Sequence, residues 1–171
     1  MFNKNIKLVL VALCIGVAVW QFIENNIGNG IAMILLGLIF LFLYFKNELI
    51  LLAFFQLRKQ NWDGAAKWLD KIKDPESALV TKQQGYYNYL KGLMMSQSSL
   101  TKAEKYFRKA IKLGLNMDAD MAVAKMNLAG IAMHKRRKRE ATTLLAEAKK
   151  LDKQGMLKEQ MKMMKTNLAR M

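Results

Sequence analysis

The chain of 171 residues contains one cysteine, one proline and one histidine. A lone Cys14 forms no disulfide within the chain. It lies in an apolar run, where a small residue facing a neighbouring helix is the ordinary role. Leu13 before it is not the small residue a lipoprotein signal places there. His134 has no second His or Cys to share a zinc-type site. No glycine-rich phosphate loop follows a strand, and no strand alternation is evident. Asp118 and Asp120 stand near a helix start, where capping is their usual role. Acid–base chemistry would also need a pocket around them. The expectation is a protein with no catalytic residue, metal or cofactor, and no enzymatic activity.

Acids are scarce as well, with 13 against 28 basic residues and a net charge of +15. The imbalance is uneven. Residues 1–45 carry Lys4, Lys7 and Glu24, giving +1, so residues 46–171 carry 26 basic and 12 acidic residues, giving +14. A basic domain of this kind suits anionic lipid headgroups, nucleic acid or the ribosome, or an acidic protein beside a membrane.

What the chain does have is long apolar runs, both near the start. Ile6 to Ile23 is an 18-residue apolar stretch, close to the roughly 20 apolar residues a bilayer core requires. A signal peptide is shorter and ends in a small-x-small site, which Val17-Ala18-Val19-Trp20-Gln21 does not offer. Trp20 and Phe22 instead suit an interfacial aromatic belt. Glu24 to Gly30 reads as a turn, rich in Asn and Gly. A second run, Ile31 to Phe45 and extendable back to Ile27, ends at Tyr44-Phe45-Lys46. Ala12 with Gly16, Cys14 with Ala18, and Gly30 with Gly37 let helices approach closely, either each other or another membrane protein.

The connecting turn has no Lys or Arg. Lys4 and Lys7 flank the first run, and Lys46, Arg58 and Lys59 follow the second. Positive flanks stay cytoplasmic. The expected topology is a two-helix transmembrane hairpin over residues 1–45, both termini cytoplasmic, in a bacterial inner membrane.

Residues 46–171 repeat with a period of 38. Ala65, Ala103 and Ala141 are so spaced, as are Leu69, Phe107 and Leu145; Ile72, Ala110 and Ala148; and Leu52, Leu90 and Leu128. Each Ala–x₃–Leu/Phe–x₂–Ala/Ile set lies on one helical face. The small residue permits a close crossing and the large one fills the groove. The first helix of the first copy, from Leu52, reads as growing directly out of the membrane span. Asp74-Pro75 reads as N-cap and first helical position of a helix running to about Gln97. Asp118 reads as another N-cap, Thr101-x-x-Glu104 as a capping box, and Gly114 as a helix end.

The copies carry further signatures: Asn127-Leu128-Ala129-Gly130-Ile131-Ala132 with Glu140-Ala141-x₃-Leu145-x₂-Ala148; Tyr89-Leu90-Lys91-Gly92-Leu93 with Lys102-Ala103-x₃-Phe107-x₂-Ala110; and Asn61-Trp62-Asp63-Gly64-Ala65 with Leu69. In these the chain resembles the tetratricopeptide repeat family over residues 49–151. The resemblance implies an all-α chain in which a short α-solenoid of about three repeats follows the hairpin. It also implies a concave groove for peptides or helices, lined by Phe54, Leu57, Asn88, Met95, Met126, Met133 and His134. Gly92 and Gly130 stand where the family's carboxylate clamp places Asn, and Lys125 and Asn127 are out of its register.

From about residue 153, Leu157, Met161, Met164, Leu168 and Met171 form one apolar stripe among lysines. It suits a capping helix that closes the repeat stack, or a helix lying on lipid or a partner. Lys135-Arg136-Arg137-Lys138-Arg139 falls at the turn between the helices of the third copy. Five adjacent cations are expected to be exposed, solvated near an anionic membrane, or facing RNA or an acidic protein. The function expected is a membrane-anchored adaptor for a protein partner, with a ribosome- or nucleic-acid-binding tether as the alternative.

Overall fold

The computed structural model describes residues 4–45 and 47–170. Lys46 and Met171, with the side chains of Lys4 and Phe45, lie outside the described residues. Every regular element among the described residues is a helix, so the chain is all-α. It divides into two compact units, Met1–Gln83 and Gln84–Met171.

The first unit opens with α1 (Lys4–Ile23) and α2 (Ile27–Phe45), packed as a hairpin. Both are long and apolar enough to cross a membrane. Leu13, Val19, Leu35 and Leu38 point outward and are exposed, while Cys14 and Ala18 are buried. The small residues bring the helices together. A Cβ added at Gly37 would lie 3.4 Å from Cys14 Cβ, and one at Gly30 would lie 2.8 Å from the Phe22 ring. Ala12 and Gly16 are exposed on the outer face.

The turn is shorter than its composition indicates, Glu24 to Asn26 instead of Glu24 to Gly30. Asn25 adopts a left-handed φ of 56° and reverses the chain alone. Gly28 and Gly30 are already helical, and Gly30 leaves room for Phe22. The Trp20 indole N–H donates to Glu24 at 2.9 Å across this end.

The chain does not run from α2 straight into α3 (Glu48–Arg58). Asn47 is extended, and its side-chain oxygen accepts from the backbone N–H of Leu49 at 3.0 Å and of Ile50 at 3.4 Å. A new helix therefore begins, capped in the usual way. The last carbonyls of α2 find distant donors in place of helix partners. Lys7 Nζ donates to the Leu43 carbonyl at 3.1 Å and pairs with Glu48 at 2.6 Å. Gln83 Nε2 donates to the Tyr44 carbonyl at 2.7 Å. Lys7 is thus a buried, paired residue within α1 and not a free flanking charge.

α4 (Trp62–Asp70) packs against α3, capped by Asn61, which accepts from the Gly64 N–H at 2.8 Å. Asp74 caps α5 (Pro75–Ala78) as the sequence indicates, and hydrogen bonds from Ser77 and Glu76 hold its carboxyl below the usual range. The single helix expected from Pro75 to Gln97 is two. Leu79 turns extended, at φ −115° and ψ 147°, and buries its side chain completely. Gln83 then accepts from the Val80 N–H at 3.4 Å, the reciprocal half of a capping box, and α6 (Thr81–Met95) starts.

The second unit takes the chain from Gln84 onward. α7 (Leu100–Leu113) is capped by Ser99, which accepts from the Lys102 N–H; Thr101 is inside the helix and Glu104 is used elsewhere. Gly114 ends α7 with φ 80°. α8 (Asp118–His134) has Met117 at its N-cap with no side-chain bond, so Asp118 is its first helical residue and not its cap. α9 (Lys138–Leu151) packs on α8, and α10 (Lys158–Ala169) closes both. Ala129, Ala132, Ala141, Leu145, Ala148, Met161 and Leu168 form one core, flanked by Leu157 and Met164. The C-terminal stripe therefore faces protein. α10 starts later than residue 153, because Asp152 accepts from the N–H groups of Met156 and Leu157 and Gly155 turns at φ 71°.

The nine positions Ala65/Ala103/Ala141, Leu69/Phe107/Leu145 and Ile72/Ala110/Ala148 are all buried. Burying a Leu or Phe in this way is worth roughly 1.5–3 kcal/mol each. The fourth set differs: Leu90 is 0% and Leu128 3% exposed, but Leu52 is 41% exposed.

Candidate functional site

The basic turn is organised by a carboxylate that sequence reading assigned to a cap. Glu104 sits on the buried side of α7. It accepts from Lys135 Nζ at 2.7 Å, from Arg137 at 2.7 Å and from Arg108, one helical turn on, at 2.7 Å. Glu140 joins the network through Arg137 at 3.5 Å and through Arg108. The hydrogen bond from Lys135 is the largest cause, with Arg108 and Arg137 behind it, of a Glu104 carboxyl held at about 2, against the resistance of its burial. The five cations are therefore not equivalent. Lys135 is half-buried, and it and Arg137 are paired. Arg136, at a left-handed φ of 56°, with Lys138 and Arg139, is exposed, and none of the three side chains has a partner among the described residues. The network of Arg108, Lys135 and Arg137 against Glu104 and Glu140 nets +3 − 2 = +1, and the three free cations bring the surface to +4.

The expected groove residues fall into both units. Phe54 and Leu57 are half-buried on α3 in the first. In the second, Asn88 is buried and its amide donates to the Gln84 carbonyl at 2.7 Å. Met95 is half-buried, its sulfur accepting from the Ser98 hydroxyl. Met126 and Met133 pack against the α8–α9–α10 core. His134 is exposed at the end of α8. Lys125 pairs with Glu147 at 2.6 Å, and the Asn127 amide donates to the Val123 carbonyl. A Cβ at Gly92 would lie 2.9 Å from the Phe107 ring, so this position admits no larger side chain without displacing that ring.

Two further features went unread in the sequence. The Tyr86 hydroxyl donates to Asp120 at 2.9 Å, and burial, then this carboxylate, pushes it up to about 12. Tyr89, edge-on to Phe107, is pushed up by burial. A cleft of about 410 Å³ beside α10 is rimmed by Lys149, Lys158, Lys162 and Lys165 over a floor at Met161. Among the described residues no three His, Cys, Asp or Glu side chains group as metal ligands. The Glu104–Arg108 pairing was legible as an i,i+4 spacing. Lys7, a lone cation in an apolar run, signalled a buried partner.

Comparison of the chain with protein-family models, curated proteins and solved structures finds no match in any of the three.

Proposed function

We propose that the chain is a membrane-tethered adaptor of tetratricopeptide type, holding a protein partner at the cytoplasmic face of a bacterial inner membrane with both of its termini in the cytoplasm. One observation carries the reading: a 38-residue register of buried crossing positions follows directly on two apolar helices of membrane-spanning length. The partner's contacting surface is acidic, because Arg136, Lys138 and Arg139 present unpaired charge while Lys135 and Arg137 hold the turn in place. α1 and α2 serve as the anchor; Cys14, Ala18, Gly30 and Gly37 are used in packing on each other, while Ala12 and Gly16 stay on the outer face.

The test is photo-crosslinking in living cells, from probes placed at Phe54, Met95 and Arg136 of the full chain. A discrete protein adduct, lost from Arg136 at raised salt, supports the adaptor. No discrete adduct from any of the three positions sinks it. Topology is tested separately in a Cys14→Ala background. A cysteine at Asn26 labelled by an impermeant reagent in intact cells, with one at Lys165 protected, fits both termini inside; the reverse pattern overturns it.

The same three free cations and the net charge of +15 favour a second reading, a tether for ribosomes or nucleic acid. Salt-sensitive co-sedimentation with ribosomes, without a protein adduct, selects it.

A further inference from the structure

We propose that α3 lies in the bilayer interface, with Leu51, Leu52 and Phe55 sunk into the acyl boundary and Arg58 and Lys59 reaching anionic headgroups. The proposal rests on the reading of α1 and α2 as membrane spans and assigns the next helix to the same lipid surface.

The helix has two opposed faces. At 3.6 residues per turn, Leu49, Ile50, Ala53 and Leu57 fall on one side and Leu51, Leu52, Phe55, Arg58 and Lys59 on the other. The first three of the former are buried and Leu57 is half-buried; all five of the latter are exposed. The exposed face begins at Glu48, whose carboxylate is turned to Lys7, and carries no other polar side chain before Arg58. Large apolar residues in such a contiguous patch mark a covered surface.

The repeat register shows that this position in the fold is normally covered. Adding 38 and 76 to Leu52 gives Leu90 and Leu128, at 0% and 3% exposed. Adding 38 and 76 to Phe55 gives Leu93, half-buried, and Ile131, at 3% exposed, whereas Phe55 itself is 59% exposed. Other helices bury those faces in the later copies. In the first copy the chain that precedes α3 is the hairpin, and it leaves this face open.

Lipid is the occupant that the surroundings specify. Glu48, the first residue of α3, pairs with Lys7 of α1, and the same ammonium holds the Leu43 carbonyl near the end of α2. The start of α3 is thereby pinned where the apolar hairpin ends. The Lys59 ammonium lies over the Phe55 ring, 5.1 Å from its centroid, so a cation borders the apolar face. An apolar face edged by Arg58 and Lys59 is the pattern of an interfacial helix, and the cations match anionic headgroups.

The experiment uses the full chain with Cys14→Ala, in vesicles of mixed phosphatidylcholine and phosphatidylglycerol. Spin labels go on single cysteines at Leu52 and Phe55, with Leu35 as a lipid reference and Gln97 as a water reference. Collision with oxygen, which partitions into lipid, is compared with collision with a polar nickel chelate. The expected result is an oxygen-to-nickel ratio at 52 and 55 several-fold above that at 97 and approaching that at 35. A ratio equal to that at 97 overturns the proposal while leaving the spans intact. Protection from both reagents overturns it in favour of a protein cover. If position 35 also behaves as water, the membrane reading fails and this proposal with it.

Discussion

The hairpin α1–α2 and the pair α8–α9 are both antiparallel helix pairs closed on small residues, yet they are built for different surroundings. In the first, Cys14 and Ala18 meet a helix kept slim by Gly30 and Gly37, and the outer faces are Leu, Val and Ile. In the second, Ala129 and Ala132 meet Ala141 and Ala148, and the outer faces carry Lys and Arg. Crossing distance depends on small residues in either solvent. What the outer face carries decides whether the pair suits lipid or water. Ion pairs divide the same way: Lys7–Glu48 sits at the end of the hairpin, while Glu104 gathers three cations beside α8–α9.

The largest expected effect breaks the water-facing side of this comparison at its core. Phe107→Ala removes a fully buried ring that touches Gly92 and Tyr89. It should cost roughly 3–5 kcal/mol, read as a large fall in thermal midpoint of the full chain in detergent. A fall no greater than that of a surface variant would show that α6 and α7 do not share this core.

Next in size, Ala141→Leu overfills the crossing of α8 and α9 and should cost roughly 1–3 kcal/mol. Denaturant titration followed by circular dichroism measures it. An unchanged midpoint would mean that the alanine register does not set the helix approach.

A smaller effect tests the Glu104 network. A carboxyl depressed to about 2 from 4.5 stabilises the fold fully above its unfolded value. That stability is lost as pH falls from about 4.5 through 2. The full displacement corresponds to roughly 3 kcal/mol, but Arg108 and Arg137 are nearly half exposed, and solvent screening leaves about 1–2 kcal/mol. Thermal melts between pH 5 and 2 should therefore fall more steeply for the parent than for Glu104→Gln. Parallel curves would remove Glu104 as the organiser of the turn.

The smallest effect is the sharpest control. Lys138→Ala, at an unpaired exposed cation, should change stability by no more than about 0.5 kcal/mol. It should still weaken capture of an acidic partner or of ribosomes, checked by pull-down at low and raised salt. A loss of stability like that of Ala141→Leu would make Lys138 part of the fold and not of its surface.

Much of the architecture was legible because it depends on linear periodicity. The two apolar runs, the Asp74 cap, the Gly114 stop and the three buried triples all follow from residue type at fixed spacing. Boundaries were read less well where a side chain had a better use elsewhere. Glu104 left its capping role for Lys135 and Arg137, and Leu79 broke a helix to bury itself. Of the candidate surface, the five-cation run was visible, but its division into two structural and three free charges was not.

The sequence by itself determined the all-α class, the two membrane-length helices and the 38-residue register, since each rests on helical periodicity that neighbours along the chain already specify. Only the tertiary structure decided which charges are spent. Lys7 meets Glu48 across 41 positions and Glu104 meets Lys135 across 31. Whether a cation is buried and paired or exposed and free depends on which distant carboxylate the packing brings within hydrogen-bond reach, and no local pattern carries that distance.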